Sequence, residues 1–185
     1  METKIGELTI DASVINSIKK GDETTILRLY DASFSVMMNV LVRYKNNHED
    51  RVSLINSAFM KVITHMGDFR LGTSYVAWMK TILNREIIDD FRRNKRRYLE
   101  ISMSELPEEQ EWESFDVNAD RQVETDHVQR LLLKLPTATR TVFNLFLWED
   151  LSPKEIANEL QISLETVRWH IKMARKQMRQ QLEQS

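Results

Sequence analysis

A group of basic side chains near the C-terminus has the spacing needed to bind DNA. If residues 163–178 form a helix, one face is apolar, because Val167, Ile171, Ala174 and Met178 follow at intervals of four, three and four. The opposite face carries Trp169 and most of the nearby cations: Arg168, Lys172, Arg175, Lys176 and Arg179. Such a helix suits a major groove, where its first turns meet base edges and later cations meet phosphates. The alternative is an ordinary helical hairpin whose basic face is solvated.

The residues before this helix predict how it is positioned. Ser152, Pro153 and Glu155 supply a cap, a proline at the first helical position and a carboxylate that can bond back to the cap. That helix should end near Leu160, and Ser163 can cap the next one, so about three residues separate the two. This spacing is typical of a helix-turn-helix. Gln161 stands where glycine most easily adopts a left-handed conformation, and we expect the turn to tolerate it at modest cost.

A second basic stretch lies in the first half of the chain. Arg85, Arg92 and Arg96 are spaced to share one helical face, flanked by further polar and basic residues: Asn84, Arg93, Lys95 and Arg97. Binding of a polyanion is one interpretation. The other is a basic helix end that complements its own dipole and the acidic segment that follows. Together, the two basic helices indicate a protein that contacts DNA at two places.

Residues that could perform catalysis or hold a metal do not form a recognisable set. The sequence has no nucleophile motif, phosphate-binding loop or glycine-rich fingerprint. The histidines show neither i, i+4 pairing nor cysteine neighbours: His48, His65, His127 and His170. Asp89 and Asp90 point about 100° apart on a helix, and we expect Arg92 and Arg93 as their ion partners. We therefore predict no enzymatic activity, no cofactor and no metal.

Composition and periodicity predict helices. Only 4 glycines and 3 prolines occur in 185 residues, which argues against a turn-rich β protein, and apolar residues recur at helical spacing. The expected fold is all-α, with two small helical domains at residues 1–98 and 123–185. Between them, residues 99–122 read as a flexible acidic linker, in which Leu106, Trp112 and Phe115 could dock on a partner.

The whole chain has the composition of a cytoplasmic protein. It contains no cysteine, no basic start followed by an apolar run, and no stretch long enough to span a membrane. The formal net charge of -2 does not exclude DNA binding, because a local basic face sets the field that DNA meets.

Several segments resemble the sigma factors of bacterial RNA polymerase, in particular the extracytoplasmic-function (ECF) group. PheArg at 69–70, TyrValAlaTrpMetLysThrIleLeuAsnArg at 75–85 and IleAspAspPheArgArgAsnLysArgArg at 88–97 are similar to the segment that recognises the minus 10 promoter element. LeuPro at 135–136 and the stretches at 149–160 and 162–178 are similar to the helix-turn-helix that reads the minus 35 element. The resemblance covers nearly the whole chain.

The resemblance implies roles for individual residues. Asn84 and the loop Arg70 to Ser74 would lie near a flipped-out base of the minus 10 element, where a pocket and a stacking surface are needed. The remaining minus 10 contacts would be basic: Arg85, Arg92, Arg93 and Arg96. The minus 35 contacts would come from the second helix of the helix-turn-helix: Glu165, Thr166, Arg168, Trp169, Lys172, Arg175 and Lys176.

The sequence departs from the family where the polymerase-docking helix is expected. The family motif is close to AspLeuXaaGlnGlu, whereas residues 53–57 read SerLeuIleAsnSer. Two carboxylates are lost and an amide is shortened. We expect docking to be retained through Leu54, Ile55, Asn56 and Phe59.

The resemblance thus implies a sigma factor that directs core RNA polymerase to specific promoters and aids their opening. Its partners would be core RNA polymerase and promoter DNA, and whether an anti-sigma factor also binds is left open. Two alternatives are a stand-alone helix-turn-helix regulator, which would bind duplex sites by itself, and an interaction protein with degenerate DNA-binding helices.

Overall fold

A computed structural model describes residues 3–104 and 130–183. The predicted linker beyond residue 104, with Leu106, Trp112 and Phe115, lies outside the described residues, as do His127 and the start of the predicted second domain. The predicted helical architecture is confirmed, with one small addition at the N-terminus.

That addition is a β-hairpin. Strands β1 (Thr3–Ile5) and β2 (Leu8–Ile10) pair antiparallel, with Ile5 opposite Leu8, and Gly6 supplies the positive φ of 55° that the two-residue turn needs. Ile5, Leu8 and Ile10 are buried, so the hairpin adds one apolar face to the helices that follow. Helical periodicity does not reveal strands of three residues.

Four helices and one short 3-10 turn follow: α1 (Ala12–Lys19), α2 (Glu23–Leu41), α3 (His48–Thr64), the turn Met66–Asp68 and α4 (Tyr75–Ser104). Acidic or amide side chains cap the first three. Asp11, Asp22 and Asn47 each accept a hydrogen bond from a backbone amide of the first turn, at 2.8 Å. Gly21, with a φ of 77°, lies between α1 and the Asp22 cap of α2.

Three helices complete the described chain: α5 (Thr137–Leu147), α6 (Pro153–Leu160) and α7 (Leu164–Glu183). Residues 130–133, before Pro136, are also helical. Every residue of α5 from Ala138 to Leu145 is buried, so α5 is the central helix of this part of the chain. Among the described residues, no helix is long and apolar enough to cross a bilayer.

The chain divides into two compact units. The first contains the residues up to Val42 together with Asn47–Asp89, and the second contains Arg43–Asn46 and the chain from Asp90 onward. The largest fully buried side chains of the first unit come from β2, α2, α3, the 3-10 turn and α4: Ile10, Leu29, Met37, Leu41, Ile55, Met66, Tyr75, Met79 and Leu83. Each unit therefore has an apolar core of its own.

The boundaries differ from the predicted ones in two respects. Helix α4 continues to Ser104, so residues 99–104 of the predicted linker are helical. The second half of α4 also belongs to the second unit, together with the loop Arg43–Asn46. Polar contacts explain this: Asn144 donates to the carbonyl of Arg43 (2.8 Å), and Arg140 bonds to Asn46. Sequence periodicity carries no signal for such long-range bonds.

Candidate nucleic-acid interface

Helix α6 begins with the predicted capping box. The amide of Glu155 donates to the Ser152 hydroxyl (3.3 Å), and the amide of Ser152 donates to the Glu155 carboxylate (2.8 Å). Hydrogen bonding of the carboxylate to the Ser152 side chain and to the Ser152 amide holds the pKa of Glu155 below its usual value. Ile156 and Leu160 are fully buried, and they fix α6 against the rest of the unit.

The turn after α6 has the geometry that the sequence predicts. Gln161 is left-handed, with φ 55° and ψ 45°, and the amide of Ile162 donates to the carbonyl of Ala157 (3.1 Å). Ser163 then caps α7, because its hydroxyl accepts from the amide of Thr166 at 3.0 Å. The two helices are therefore separated by residues 161–163, which confirms the helix-turn-helix.

Helix α7 separates its side chains into a buried and an outward set. The predicted stripe Val167, Ile171 and Ala174 is buried, and Met178 is half-buried. Of the predicted DNA contacts, Glu165, Arg168 and Lys172 are exposed, whereas Thr166, Trp169, Arg175 and Lys176 are half-buried. The exposed members lie at intervals of three and four residues, so they share one face.

Two residues of α7 that sequence reasoning did not assign complete its packing. His170 is 1% exposed, and its Nδ1 lies 2.9 Å from the hydroxyl of Thr139 in α5. Burial lowers the pKa of His170 to about 4, so the ring is neutral at physiological pH. Met173 is also buried. Their positions one residue before Ile171 and Ala174 widen the apolar stripe, and this adjacency is the signal that could have identified them.

Two half-buried side chains of α7 contact aromatic rings. The guanidinium of Arg175 lies over the ring of Phe146, 5.4 Å from its centroid. Trp169 packs edge-on against the ring of His170, with 4.7 Å between centroids. Arg175 and Trp169 are therefore partly engaged in aromatic contacts, whereas Arg168 and Lys172 are exposed.

In the first unit, an aromatic cluster supports the loop before α4. Tyr75 is fully buried, and its hydroxyl lies 3.1 Å from that of Ser33. Phe69 packs against Tyr75 and Trp78 at centroid distances of 5.8 and 5.3 Å. Burial raises the pKa of the Tyr75 hydroxyl to about 12.

The loop itself is exposed from Arg70 to Ser74. Gly72 has a φ of 86°, which a side chain rarely adopts, and the hydroxyl of Thr73 donates to the carbonyl of Arg70 at 2.7 Å. Leu71, at the tip, is 47% exposed. The loop thus offers an apolar tip and a cation on a fixed backbone.

The predicted contacts on α4 differ in exposure. Arg85, Arg93 and Arg96 are exposed, whereas Asn84 and Arg92 are half-buried. Arg96 pairs with Glu100 at 2.7 Å, one turn further along. Within the second unit, Arg92 donates to the carbonyl of Glu159 (2.6 Å) and approaches its carboxylate (3.3 Å).

The structure gives Asp90 a lysine partner in place of the expected arginines, and it gives Asp89 a lysine partner that sequence reasoning did not assign. Asp90 pairs with the buried Lys45 at 2.5 Å, and Lys45 also donates to the Tyr98 hydroxyl at 2.7 Å. Asp89 pairs with Lys61, 3.2 Å away, which also contacts Glu86 at 2.5 Å. Neighbours in sequence on a helix point apart, so the two carboxylates reach lysines on different segments.

Three of the four predicted polymerase contacts belong to the core. Leu54, Ile55 and Phe59 are at most 5% exposed, so in this conformation they support α3 from inside. Asn56 alone among the four is exposed, and its Oδ1 accepts a hydrogen bond from the hydroxyl of Tyr30 in α2 (2.8 Å). The sequence reasoning did not single out Tyr30, because a contact between helices leaves no local signal.

No group of three or more potential metal ligands comes together among the residues that the structure describes.

Two parts of the chain match known family models, and each match contains one of the two basic surfaces described above. Residues 29–97 match Sigma-70 region 2, and residues 126–178 match Sigma-70, region 4. The exposed loop and α4 lie in or beside the first match, and the helix-turn-helix lies in the second.

Two curated sigma factors are similar to this chain. The chain is 27% identical over 158 residues to RNA polymerase sigma factor YlaC of Bacillus subtilis, covering 85% of this chain and 91% of the relative. It is 25% identical over 184 residues to the ECF RNA polymerase sigma factor SigW of the same species, covering 91% of this chain and 94% of the relative.

Two solved structures are also similar. CnrH in complex with the cytosolic domain of CnrY gives a TM-score of 0.44 at 20% identity, covering 93% of this chain and 96% of that one. The sigma factor RpoE in complex with the anti-sigma factor NepR, from Bartonella quintana, gives a TM-score of 0.46 at 18% identity. The similarity covers 89% of this chain and 98% of that one.

A helical protein in which region 2 precedes a region 4 helix-turn-helix is a sigma factor of RNA polymerase. This chain belongs to the sigma-70 family, in its ECF group, and acts in transcription initiation with core RNA polymerase and promoter DNA. Family membership decides against the stand-alone regulator. Sigma factors are in general non-catalytic DNA-binding regulators.

Proposed function

We propose that this sigma factor reads the minus 35 element with the outward face of α7 and the minus 10 element with α4 and the loop before it, while α3 docks on core polymerase. The separation of α7 into a buried stripe and an exposed polar face supports the first assignment most directly. The functional division that we propose is residues 1–98 for docking and minus 10 recognition, 99–122 for the linker and 123–185 for minus 35 recognition.

At the minus 35 element, the first turns of α7 offer both kinds of base contact. Glu165 bonds to its own amide and to Ser163, which lowers its pKa and keeps the carboxylate ionised as an acceptor for a cytosine amine. Arg168 is a donor suited to guanine. Lys172 follows one turn later, where a helix leaves the bases and approaches phosphates.

At the minus 10 element, the loop Arg70 to Ser74 and Asn84 would receive an extruded base. The exposed Leu71 supplies apolar surface beside the base, and Arg70 a cation. Arg85, Arg93 and Arg96 would then contact phosphates along α4, and Arg92 would join them on leaving Glu159.

The chain would perform no chemistry of its own and would work in the cytoplasm with the polymerase it serves.

Transcription in vitro tests the proposal. With core polymerase and promoter fragments selected by mapping transcript starts after overexpression, the chain should give start-site-specific transcripts, and core polymerase alone should not. In gel shifts, specific binding should require the core enzyme. Tight specific binding by the chain alone, or no promoter-dependent product with core polymerase, would contradict the proposal.

A further inference from the structure

The second half of α4 touches the end of α6 inside the second compact unit. Nε of Arg92 donates to the backbone carbonyl of Glu159 (2.6 Å), and the same guanidinium approaches the Glu159 carboxylate (3.3 Å). Three residues further along α4, Nζ of Lys95 donates to the carbonyl of Gln161 (3.0 Å). We call these four residues the α4–α6 contact. It occupies two cations from the basic stretch of α4.

The end of α6 presents oxygen atoms of the kind that a phosphate backbone presents. Glu159 lies in the last turn of α6, where backbone carbonyls have no partner within the helix and the helix dipole is negative. Gln161 follows in a left-handed conformation, and its carbonyl accepts from Lys95. The Glu159 carboxylate adds a negative charge. Arginine and lysine donate to carboxylate and phosphate oxygens alike, so the end of α6 and DNA are alternative partners for the same cations.

A second set of contacts joins the same two parts of the chain. The loop Arg43–Asn46 packs beside α5: the guanidinium of Arg43 lies over the ring of Trp148, 4.6 Å from its centroid, and Asn144 donates to the carbonyl of Arg43 (2.8 Å). This loop and α4 up to Arg97 fall within the region 2 match, whereas α5 and α6 fall within the region 4 match. The second unit therefore combines residues of both regions.

The α4–α6 contact is of a kind that can open. The side chains of Arg92 and Glu159 are 33% and 50% exposed, and exposed ion pairs contribute little to stability. The hydrogen bonds of the contact end on backbone carbonyls, which water can satisfy after release.

Promoter binding as proposed cannot preserve this contact. The minus 35 and minus 10 positions are about 25 base pairs apart, which is ~85 Å along a duplex at ~3.4 Å per base pair. Only residues 161–163 separate α6 from α7, so the end of α6 stays within ~15 Å of the start of α7. When α7 lies at minus 35 and Arg92 lies at minus 10, Glu159 is therefore far from Arg92.

We infer that the α4–α6 contact holds the free chain in a closed state, in which the end of α6 occupies Arg92 and Lys95 in place of promoter phosphates. Promoter recognition then requires this contact to open. The inference rests on the proposed assignment of Arg92 to minus 10 and of α7 to minus 35. The competitor that replaces the end of α6 is the sugar-phosphate backbone of the minus 10 element.

A reversible cross-link in the full chain tests the inference. The chain contains no cysteine, so Lys95→Cys and Gln161→Cys together introduce its only two thiols. A bis-maleimide with a cleavable disulfide in its spacer should join them in the free chain. The cross-linked protein should lose nearly all promoter-dependent transcription with core polymerase, and cleavage of the spacer by a reductant should restore it. Gln161→Cys alone, treated with the same reagent, is the control and should keep its activity.

A second variant measures the contact without polymerase. Glu159→Arg places a cation opposite Arg92, and it should fold, because a positive side chain near a helix C-terminus suits the dipole. Its affinity for a labelled single-stranded oligonucleotide with the minus 10 sequence of a mapped promoter should rise about threefold or more. Glu7→Arg makes the same charge change in the exposed turn of the N-terminal hairpin, and it should give a smaller gain. Fluorescence anisotropy measures the binding.

The outcomes separate the inference from the proposed function. If the cross-linked chain transcribes as well as the cleaved chain, or if Glu159→Arg and Glu7→Arg raise DNA affinity equally, the inference is wrong and the proposed function stands. Failure of the two cysteines to cross-link in the free chain would also overturn the inference. If the untreated wild-type chain gives no promoter-dependent product with core polymerase, the proposed function is wrong.

Discussion

The hydroxyl of Thr139 and Nδ1 of His170 lie 2.9 Å apart inside the second unit, where they join α5 to α7. His170 is on the helix whose opposite face meets DNA in our proposal, one residue after Trp169. The buried side of α7 is therefore held by a titratable group, which makes the stability of this unit sensitive to acid.

Acid should destabilise the second unit between about pH 6.5 and pH 4. Burial lowers the pKa of folded His170 to about 4, whereas the unfolded chain binds a proton near pH 6.5. The stabilising contribution is complete above the unfolded pKa and is lost as pH falls through this window, by up to about 3 kcal/mol. Urea unfolding at a series of pH values measures it.

His170→Asn is the control for that experiment, because an amide can bond to Thr139 without titrating. The variant should lose stability less steeply than wild type between pH 6.5 and pH 4. Carboxylates elsewhere titrate in both proteins, so the difference between the two curves reports His170. Parallel curves for wild type and variant would mean that His170 does not titrate in this window.

Gln161→Gly should stabilise the protein by about 0.5–1 kcal/mol. The left-handed φ of 55° strains a side chain but not glycine, and this relief exceeds the greater entropy of glycine in the unfolded chain. Chemical denaturation measures the change. Gln161→Ala retains the Cβ and should give no gain, so equal stabilisation by alanine would exclude backbone strain as the cause.

Asp90→Asn should destabilise the fold by about 3 kcal/mol, because it leaves the buried Lys45 without its counter-charge. Asp89→Asn is a matched change one residue away. Its partner Lys61 is 43% exposed and keeps Glu86, so the loss should stay below about 1 kcal/mol. Equal losses at the two positions would contradict the assignment of their partners.

Arg168→Ala should reduce transcription most on promoters with the native minus 35 element, and less on promoters already altered at the contacted base pair. A base contact of this kind contributes about 1–3 kcal/mol of discrimination. Run-off transcription on a set of minus 35 variants provides the measurement. A uniform loss over all promoters would make Arg168 a phosphate contact instead.

The features that sequence reasoning predicted well are local in the chain. The caps at Ser152 and Ser163 and the left-handed Gln161 depend on residues within one helical turn, so spacing alone was enough. The same holds for the buried stripe of α7, whose period is intrinsic to a helix.

The features that it missed depend on distant residues. Lys45 and Asp90 are 45 positions apart, and Tyr30 and Asn56 are 26 apart, so no window along the sequence relates them. The burial of Leu54, Ile55 and Phe59 belongs to the same class, because a family motif does not tell which of its positions face inward.

The interleaving of positions on α7 has a consequence for how promoter preference can change. The outward set on this helix contains Glu165, Arg168 and Lys172. The buried set, which lies between them in the sequence, contains Val167, His170 and Ile171. The outward set can therefore be exchanged as a group while the buried set continues to specify the fold. If α7 reads the minus 35 element as we propose, promoter specificity can change by substitution of the outward residues alone, both in gradual divergence and in deliberate redesign.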